Sequence, residues 1–570
     1  MAAELPIPVY TNLDDLYRNL GTTVNHAVRW NNLAEEFVTR FSRKPAYIAR
    51  APGRVKILFT LSSGEHIDYT LFGCFPAAIE RDILIACAPR SVRTSPSPYS
   101  SQTGPDLESQ QVSGSVVAEN LHGKYSRQTF VPAKKLSWQL DIDTKQLRWE
   151  SYVKAGYYGV LNHYFTPAAG SDGHPVPVDL LVTGSVPAGS GLSSSAAMVV
   201  ASTLAFLAVN GKLDDTSISA QGMTKGKLVE MAMENEKRVG VNSGGMDQAA
   251  SVISTANSAL YVSFFPRLSA QPIPLPGAST TSISISPASS LQPRAVFVCA
   301  NSLVVSDKLV HARTRYNLRV VETLVAARVL ARRLNIPVGE KEKVTLREVL
   351  GKVMGEDAGG GEDMDLGILM HGLERMISEV ELLKPNQRDD GEEGVTLEEM
   401  IEWSGLSEDV FREVYLSWVD GNGWFPVEAT YFQLYKRAKH VFTEALRVLQ
   451  FREVCLRASS PPSLSVLEEL GNLMNESQES CSRAYECSCP ELDELVQLAR
   501  DAGAYGSRLT GAGWGGCTVS LIAESEVESF IHKIKNAYGP YKGLQGEELH
   551  EVIFATKPSS GACGEYSYFR

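Results

Sequence analysis

Apolar positions along the chain follow two patterns. Short runs at 83–88 (ILIACA), 179–185 (DLLVTGS), 295–300 (AVFVCA) and 518–522 (TVSLI) are rich in β-branched residues and read as buried strands. Longer stretches show helical spacing. Residues 193–209 lack Gly and Pro and are apolar nearly all round, as in a buried helix, whereas 225–238 and 316–334 read as charged helices with one apolar face. Strands and helices alternate with no fixed repeat, which argues against a solenoid or propeller and for an α+β fold with about two layers of helix on sheet. Three segments break the pattern: 91–115, rich in Ser, Pro, Gln and Thr, and the acidic, glycine-rich 355–365 (GEDAGGGEDMD) and 389–394 (DDGEEG). Such stretches cannot bury enough apolar area to offset their ordering entropy, so they read as mobile surface loops, with an acidic partner-binding arm as the other reading.

The 570 residues predict two to four domains at about 150 residues each, enough for a large core without covalent staples. A formal charge of −12 argues against nucleic acid as the main partner but leaves room for a small anion in one local pocket. Nine cysteines are sparse for this length and fit a reducing compartment. Their tightest group, Cys481, Cys487 and Cys489, has neither a CxxC pair nor a His partner, so no zinc site is expected. The N-terminus shows no basic stretch leading into an apolar core, and the longest weakly polar run, 196–209, is too short to cross a bilayer of ~30 Å. A soluble, cytoplasmic monomer without membrane partners is the expectation.

The sharpest local signal is 186–197, VPAGSGLSSSAA, which follows a strand and opens a helix. Gly189 and Gly191 allow close backbone approach to a ligand, and Ser193, Ser194 and Ser195 stand where free N–H groups and the helix dipole favour an anion. Their hydroxyls could bind phosphate oxygens or hydrated Mg²⁺. The segment is neither a Walker A loop nor a GxGxxG loop. Taken alone it could equally be a Gly-Ser turn capping a buried helix. A second glycine cluster, 508–517 (RLTGAGWGGC), again permits close approach to a ligand or to a neighbouring loop.

Asp247, in 242–248 (NSGGMDQ), follows two glycines and opens a short helix, where it could take or orient a hydroxyl proton or simply satisfy backbone N–H groups. Glu236, at the end of the preceding helix, is either a metal ligand or a solvated helix residue. Nearer the N-terminus, Arg54 in 51–55 (APGRV) stands close to Glu65, His66 and Asp68 in 64–69 (GEHIDY). So many acceptors beside one switchable donor suit a polyhydroxyl ligand such as a sugar, and Arg54 could neutralise a transferring phosphoryl group.

Together these segments resemble the three motifs of the GHMP small-molecule kinases, and GRV…GEHIDY resembles the signature of galactokinases within that superfamily. VGVNSGGMDQAAS, KLVHARTRYNLRVVE and YECSCPELDELV are similar to the fungal-type branch. The resemblance runs from about residue 49 to 557. It implies a two-domain fold: a ribosomal S5-like N-terminal domain (28–294), and a ferredoxin-like C-terminal domain (295–570) with helical insertions at about 335–475.

The resemblance also implies ATP-dependent phosphorylation of α-D-galactose at C1, the first committed step of the Leloir pathway. Arg54, Glu65, His66, Asp68, Asp247 and Tyr316 fall at sugar-site positions. Ser243 stands where the fungal branch commonly has asparagine and is a weaker sugar contact. Gly189, Gly191, Ser193 and Ser194 fall at the nucleotide phosphate loop, Lys308 at a position that contacts ATP, and Trp149 and Tyr152 (in WESYVK) beside the adenine. Ser194 and Glu236 would hold Mg²⁺, and Asp247 would be the catalytic aspartate, oriented by Arg54. Two other readings stay open: a galactose- and ATP-dependent sensor that binds a transcriptional repressor, and an N-acetylgalactosamine kinase. The kinase-dead sensor lacks a Ser-Ala dipeptide in its phosphate loop, whereas LSSSAA is intact here. One departure stands out. Residues 56–63 (KILFTLSS) occupy a stretch where three residues are expected between GRV and GEH, with Lys56 in place of an asparagine. Either the extra residues bulge beyond the strand end, or they derive from a retained intron; the second is the expectation.

Overall fold

A computed structural model describes residues 2–11, 24–58, 66–90, 112–144, 146–166, 174–213, 222–240, 244–276, 294–305, 313–356, 363–388, 393–417, 427–458 and 463–566. Its longest strand, Phe75–Pro89, is buried along almost its whole length. That is why its apolar run reads as continuous rather than alternating. It lies near the middle of a seven-stranded sheet whose spatial order is Val9–Tyr10, Cys563–Tyr566, Tyr47–Leu58, Phe75–Pro89, Val178–Gly184, Val116–Asn120 and Gln128–Phe130. The helix Ser194–Val209, apolar all round, is sandwiched between this sheet and Trp149–Tyr164. Tyr157 and Phe206 stack at 3.9 Å between the two helices, and Gly156 lets them approach, since a Cβ there would lie 2.8 Å from Val199 O.

A second sheet, in the order Gly506–Thr510, Cys517–Ala523, Ala295–Asn301 and Ile553–Thr556, is antiparallel throughout. Between its first and later strands the chain forms a run of helices, among them Leu346–Met354, Leu366–Glu379, Leu397–Ser404 and Leu434–Arg457. Thr345 with Glu348 and Thr396 with Glu399 form capping boxes that start two of these helices.

The last strand returns to the first sheet. Cys563–Tyr566 inserts between Val9–Tyr10 and Tyr47–Leu58. Buried Arg50 fixes it, bonding to Asp82 at 2.6 Å and reaching Ser559 Oγ and the carbonyls of Ser560 and Gly561.

The four strand runs and three helices expected from the sequence are present. The helix expected at 193–209 starts at Ser194, with Ser193 left-handed (φ 60°) just before it. The one expected at 225–238 ends as an α-helix at Glu236 and closes in a 3₁₀ turn, Lys237–Val239. Within the apolar insertion, 56–58 continue the strand, with Leu58 opposite Phe75, and 59–63 lie outside the described residues. Of the expected loops, 91–111, 357–362 and 389–392 also lie outside them. No described helix is long and apolar enough to cross a membrane.

Candidate active site

The site begins at an irregularity in the central sheet. The pairing of Tyr47–Leu58 with Phe75–Pro89 shifts register between Pro52 and Arg54. Such shifts re-aim side chains. At Gly53 any Cβ would lie 2.8 Å from Leu192 O, so only glycine lets the strand press against the serine loop. Arg54 then donates its backbone N–H to Leu192 O (3.1 Å), Nη1 to Gly191 O (2.6 Å) and Nε to Asp247 Oδ1 (2.7 Å). Asp247 is the second residue of Met246–Ile253, entered through Gly245 at φ 95°. Arg54 and Asp247 are 1% and 3% exposed. A buried ion pair is costly to break from one side, so each holds the other in place.

The two glycine clusters pack on one another. Gly191 (φ 76°) and Gly511 (φ 91°) meet so closely that a Cβ on Gly511 would lie 2.6 Å from Gly191 Cα. A Cβ on Gly516 would lie 2.9 Å from Ser190 O. At Gly189 (φ 70°) the nearest neighbour would be Val305, 3.8 Å away, so this glycine faces open space. Ser193 is buried, and its Oγ has no hydrogen-bond partner among the described residues. Such a buried hydroxyl at a helix start fits a phosphate oxygen or a cation as partner. Lys308, Glu65 and Ser243 lie outside the described residues.

Beyond Asp247 the wall is aromatic. His66, itself at φ 57°, lies 5.6 Å from the Tyr316 ring, 4.6 Å from Tyr485 and 5.5 Å from Trp514. The Tyr316 hydroxyl is pushed up, first by burial and then by the charges of Asp68 and Asp247. This phenol therefore lies within electrostatic reach of two buried carboxylates. Such a group of directed polar atoms suits several hydroxyls on one small ring.

Glu236 is buried and accepts a hydrogen bond from Gln248 Nε2, beside the catalytic candidate Asp247. Burial, and secondly the charge of Glu236, pushes the Tyr152 hydroxyl up to about 12. Trp149 opens the same helix, its ring 6.3 Å from Tyr125. The structure thus brings Arg54, Asp247, the serine loop, His66, Asp68 and Tyr316 into one region and sets Glu236 beside Tyr152. Sequence reasoning assigned no role to Gln248, Tyr69, Tyr485 or Trp514. All four lie inside the quoted motifs, but only tertiary contact shows what they touch.

Three family models match the chain: the galactokinase galactose-binding signature over residues 35–89, the GHMP kinases N terminal domain over 152–255 and the GHMP kinases C terminal over 462–540. The chain is 33% identical to a galactokinase of Dictyostelium discoideum over 97% of both chains. It is 34% identical to one of Saccharomyces cerevisiae, over 93% of this chain and 94% of the relative. Among solved structures, a Lactococcus lactis galactokinase complexed with galactose shares the fold at a TM-score of 0.57 and 20% identity, over 94% of this chain and 99% of that one.

Proposed function

This chain belongs to the galactokinase family of the GHMP kinases, and we propose that it transfers the terminal phosphoryl group of ATP to the C1 hydroxyl of α-D-galactose, giving α-D-galactose 1-phosphate and ADP. The observation that carries the reading is the buried Arg54–Asp247 pair, bonded through Arg54 to Gly191 of the serine loop, with the charge of Asp247 reaching the buried Tyr316 hydroxyl. A carboxylate between a phosphate cradle and a polyol pocket is where a sugar hydroxyl must lose its proton.

Phosphoryl transfer depends on in-line positioning and charge neutralisation more than on covalent chemistry. Asp247 takes or orients the C1 hydroxyl proton as that oxygen forms its bond to the γ-phosphorus, and the bond to the β-phosphate oxygen breaks to release ADP. Arg54 fixes the carboxylate and balances its charge. His66, Asp68 and Tyr316 orient the sugar, with Glu65 and Ser243 completing the pocket. Gly189, Gly191 and Ser193 receive the phosphates, Lys308 contacts ATP, and Trp149 and Tyr152 flank the adenine. Ser194 and Glu236 would hold Mg²⁺, which would supply charge neutralisation for the phosphates. The orphaned Ser193 Oγ and the buried Glu236 carboxylate fit that cation-phosphate group. The nine cysteines form no disulfide among the described residues, which suits a cytoplasmic location.

The test is a coupled ADP-release assay of the purified protein with ATP, Mg²⁺ and either galactose or N-acetylgalactosamine, with the product identified by ³¹P NMR. Galactose should support turnover to the 1-phosphate. Turnover with N-acetylgalactosamine alone, or with neither sugar, would overturn the assignment.

A further inference from the structure

The segment YECSC, residues 485–489, has no role in the reaction as derived above, yet its turn reaches the sugar-side motif. Tyr485 Oη lies 2.6 Å from Tyr69 Oη, which lies 2.9 Å from His66 Nδ1. The turn is firmly held. Arg319 Nε donates to Tyr485 O (2.8 Å) and Arg437 Nη1 to Ala484 O (2.6 Å), and both guanidiniums pair with the fully buried Glu322. The same turn anchors the third motif, since Trp514 donates its backbone N–H to Cys487 O and its indole N–H to Glu486 O.

We infer that Tyr69 and Tyr485 are positioning residues that hold His66 in a single neutral tautomer, with its proton on Nε2, so that the imidazole offers the sugar a hydrogen-bond donor. Each phenol has one proton to place. The Tyr485 hydroxyl is buried, and Tyr69 is its only hydrogen-bond partner among the described residues. If Tyr485 donates to Tyr69 and Tyr69 donates to Nδ1, both phenol protons find acceptors and the imidazole proton sits on Nε2, where a ligand oxygen can take it. The reverse order puts the proton on Nδ1 and strands the Tyr485 proton in the core, the arrangement buried polar groups avoid. The left-handed backbone of His66 fits a residue held by its surroundings for a task.

The sugar contact rests on the galactokinase reading, whereas the tautomer does not, so the experiment has two arms. In the first, full-length protein labelled with ¹⁵N-histidine is compared with Tyr69→Phe and Tyr485→Phe, using His66→Ala to assign the resonance. The wild type should show His66 as the Nε2–H tautomer and each variant a mixture. An Nδ1–H tautomer in the wild type, or no change in either variant, overturns the inference. In the second arm, both substitutions should raise the galactose KM about tenfold, the scale of one hydrogen bond, with kcat and the ATP KM within about twofold. The double variant should be no worse than Tyr69→Phe, and both substitutions should be silent in a His66→Ala background. Multiplying losses, or an equal loss in ATP KM, would mark a general packing role and overturn it. A wild type inert toward galactose would sink the function and leave the tautomer to the first arm. If Tyr485→Phe fails to fold, Tyr69→Phe breaks the same chain one link nearer His66 and decides alone.

Discussion

Replacing Asp247 with Asn keeps the side-chain shape and deletes one charge. Arg54 Nε, 2.7 Å from Asp247 Oδ1, would then face an amide, while Nη1 keeps its bond to Gly191 O. Opposite charges at that distance attract by roughly 6 kcal/mol at an effective dielectric of about 20. Much of this is offset by stripping water from two groups that are 1% and 3% exposed. Breaking one side of such a pair typically costs about 3–5 kcal/mol. Asn can still accept from Arg54, so the stability loss should fall near the bottom of that range and show as a modest drop in Tm.

Turnover should suffer far more. Loss of a positioned proton acceptor costs about 10²–10⁴-fold in rate. The ATP KM should stay within a few-fold, because Asp247 is joined to the serine loop through Arg54. Steady-state kinetics on Asp247→Asn, with a melting curve on the same preparation, would separate the two effects. A folded variant with kcat within tenfold of wild type would remove Asp247 from the chemistry. An ATP KM rising as steeply as kcat falls would make the pair a scaffold for the loop instead.

Two further perturbations test the frame around the site. Gly191→Val places a branched side chain where a Cβ already lies 3.0 Å from Gly511 Cα, at a φ of 76°; it should lower Tm and raise the ATP KM more than tenfold, while calorimetry shows galactose binding within about threefold, and normal ATP use would refute the loop contact. Glu565, on the returning strand, is buried with an unpartnered Oε2, and burial pushes its carboxyl up to about 7 from an ordinary 4.5. Because the folded value is the higher, its contribution to stability is full below about pH 4.5 and is lost as pH rises to about 7. Glu565→Gln should therefore shrink the fall in Tm between pH 5 and pH 8, and parallel Tm profiles for the two proteins would refute the assignment.

What was legible in the sequence follows the range of the interactions involved. The short apolar strands declare themselves within a few residues, because the forces that make them act over one pleat. The Arg54–Asp247 pair spans 193 positions. No periodicity reaches that far, and only the resemblance to galactokinases joined the two. The returning strand, Cys563–Tyr566, is too short to carry a pattern, and its place in the first sheet depends on Arg50 and Asp82, more than 470 residues earlier. The Tyr485–Tyr69–His66 chain failed for a different reason: all three residues stood in quoted motifs, but a phenol's hydrogen-bond partner is a tertiary fact.

The glycines show how a correct motif can carry an incomplete reason. From sequence, Gly189 and Gly191 had one purpose, to let backbone approach a ligand. The structure divides them. A Cβ at Gly191 would run into Gly511, whereas a Cβ at Gly189 would meet nothing closer than Val305 at 3.8 Å. Gly191 is thus required by the other loop, and Gly189 by its backbone conformation and whatever occupies the open side. With Gly53 pressed on Leu192 O and Gly516 on Ser190 O, backbones from three distant segments meet with no side chains between them. Arg54 can donate to Gly191 O only because Gly53 and Gly511 leave that loop where it is. The geometry around Asp247 therefore depends on glycines that need never touch a substrate.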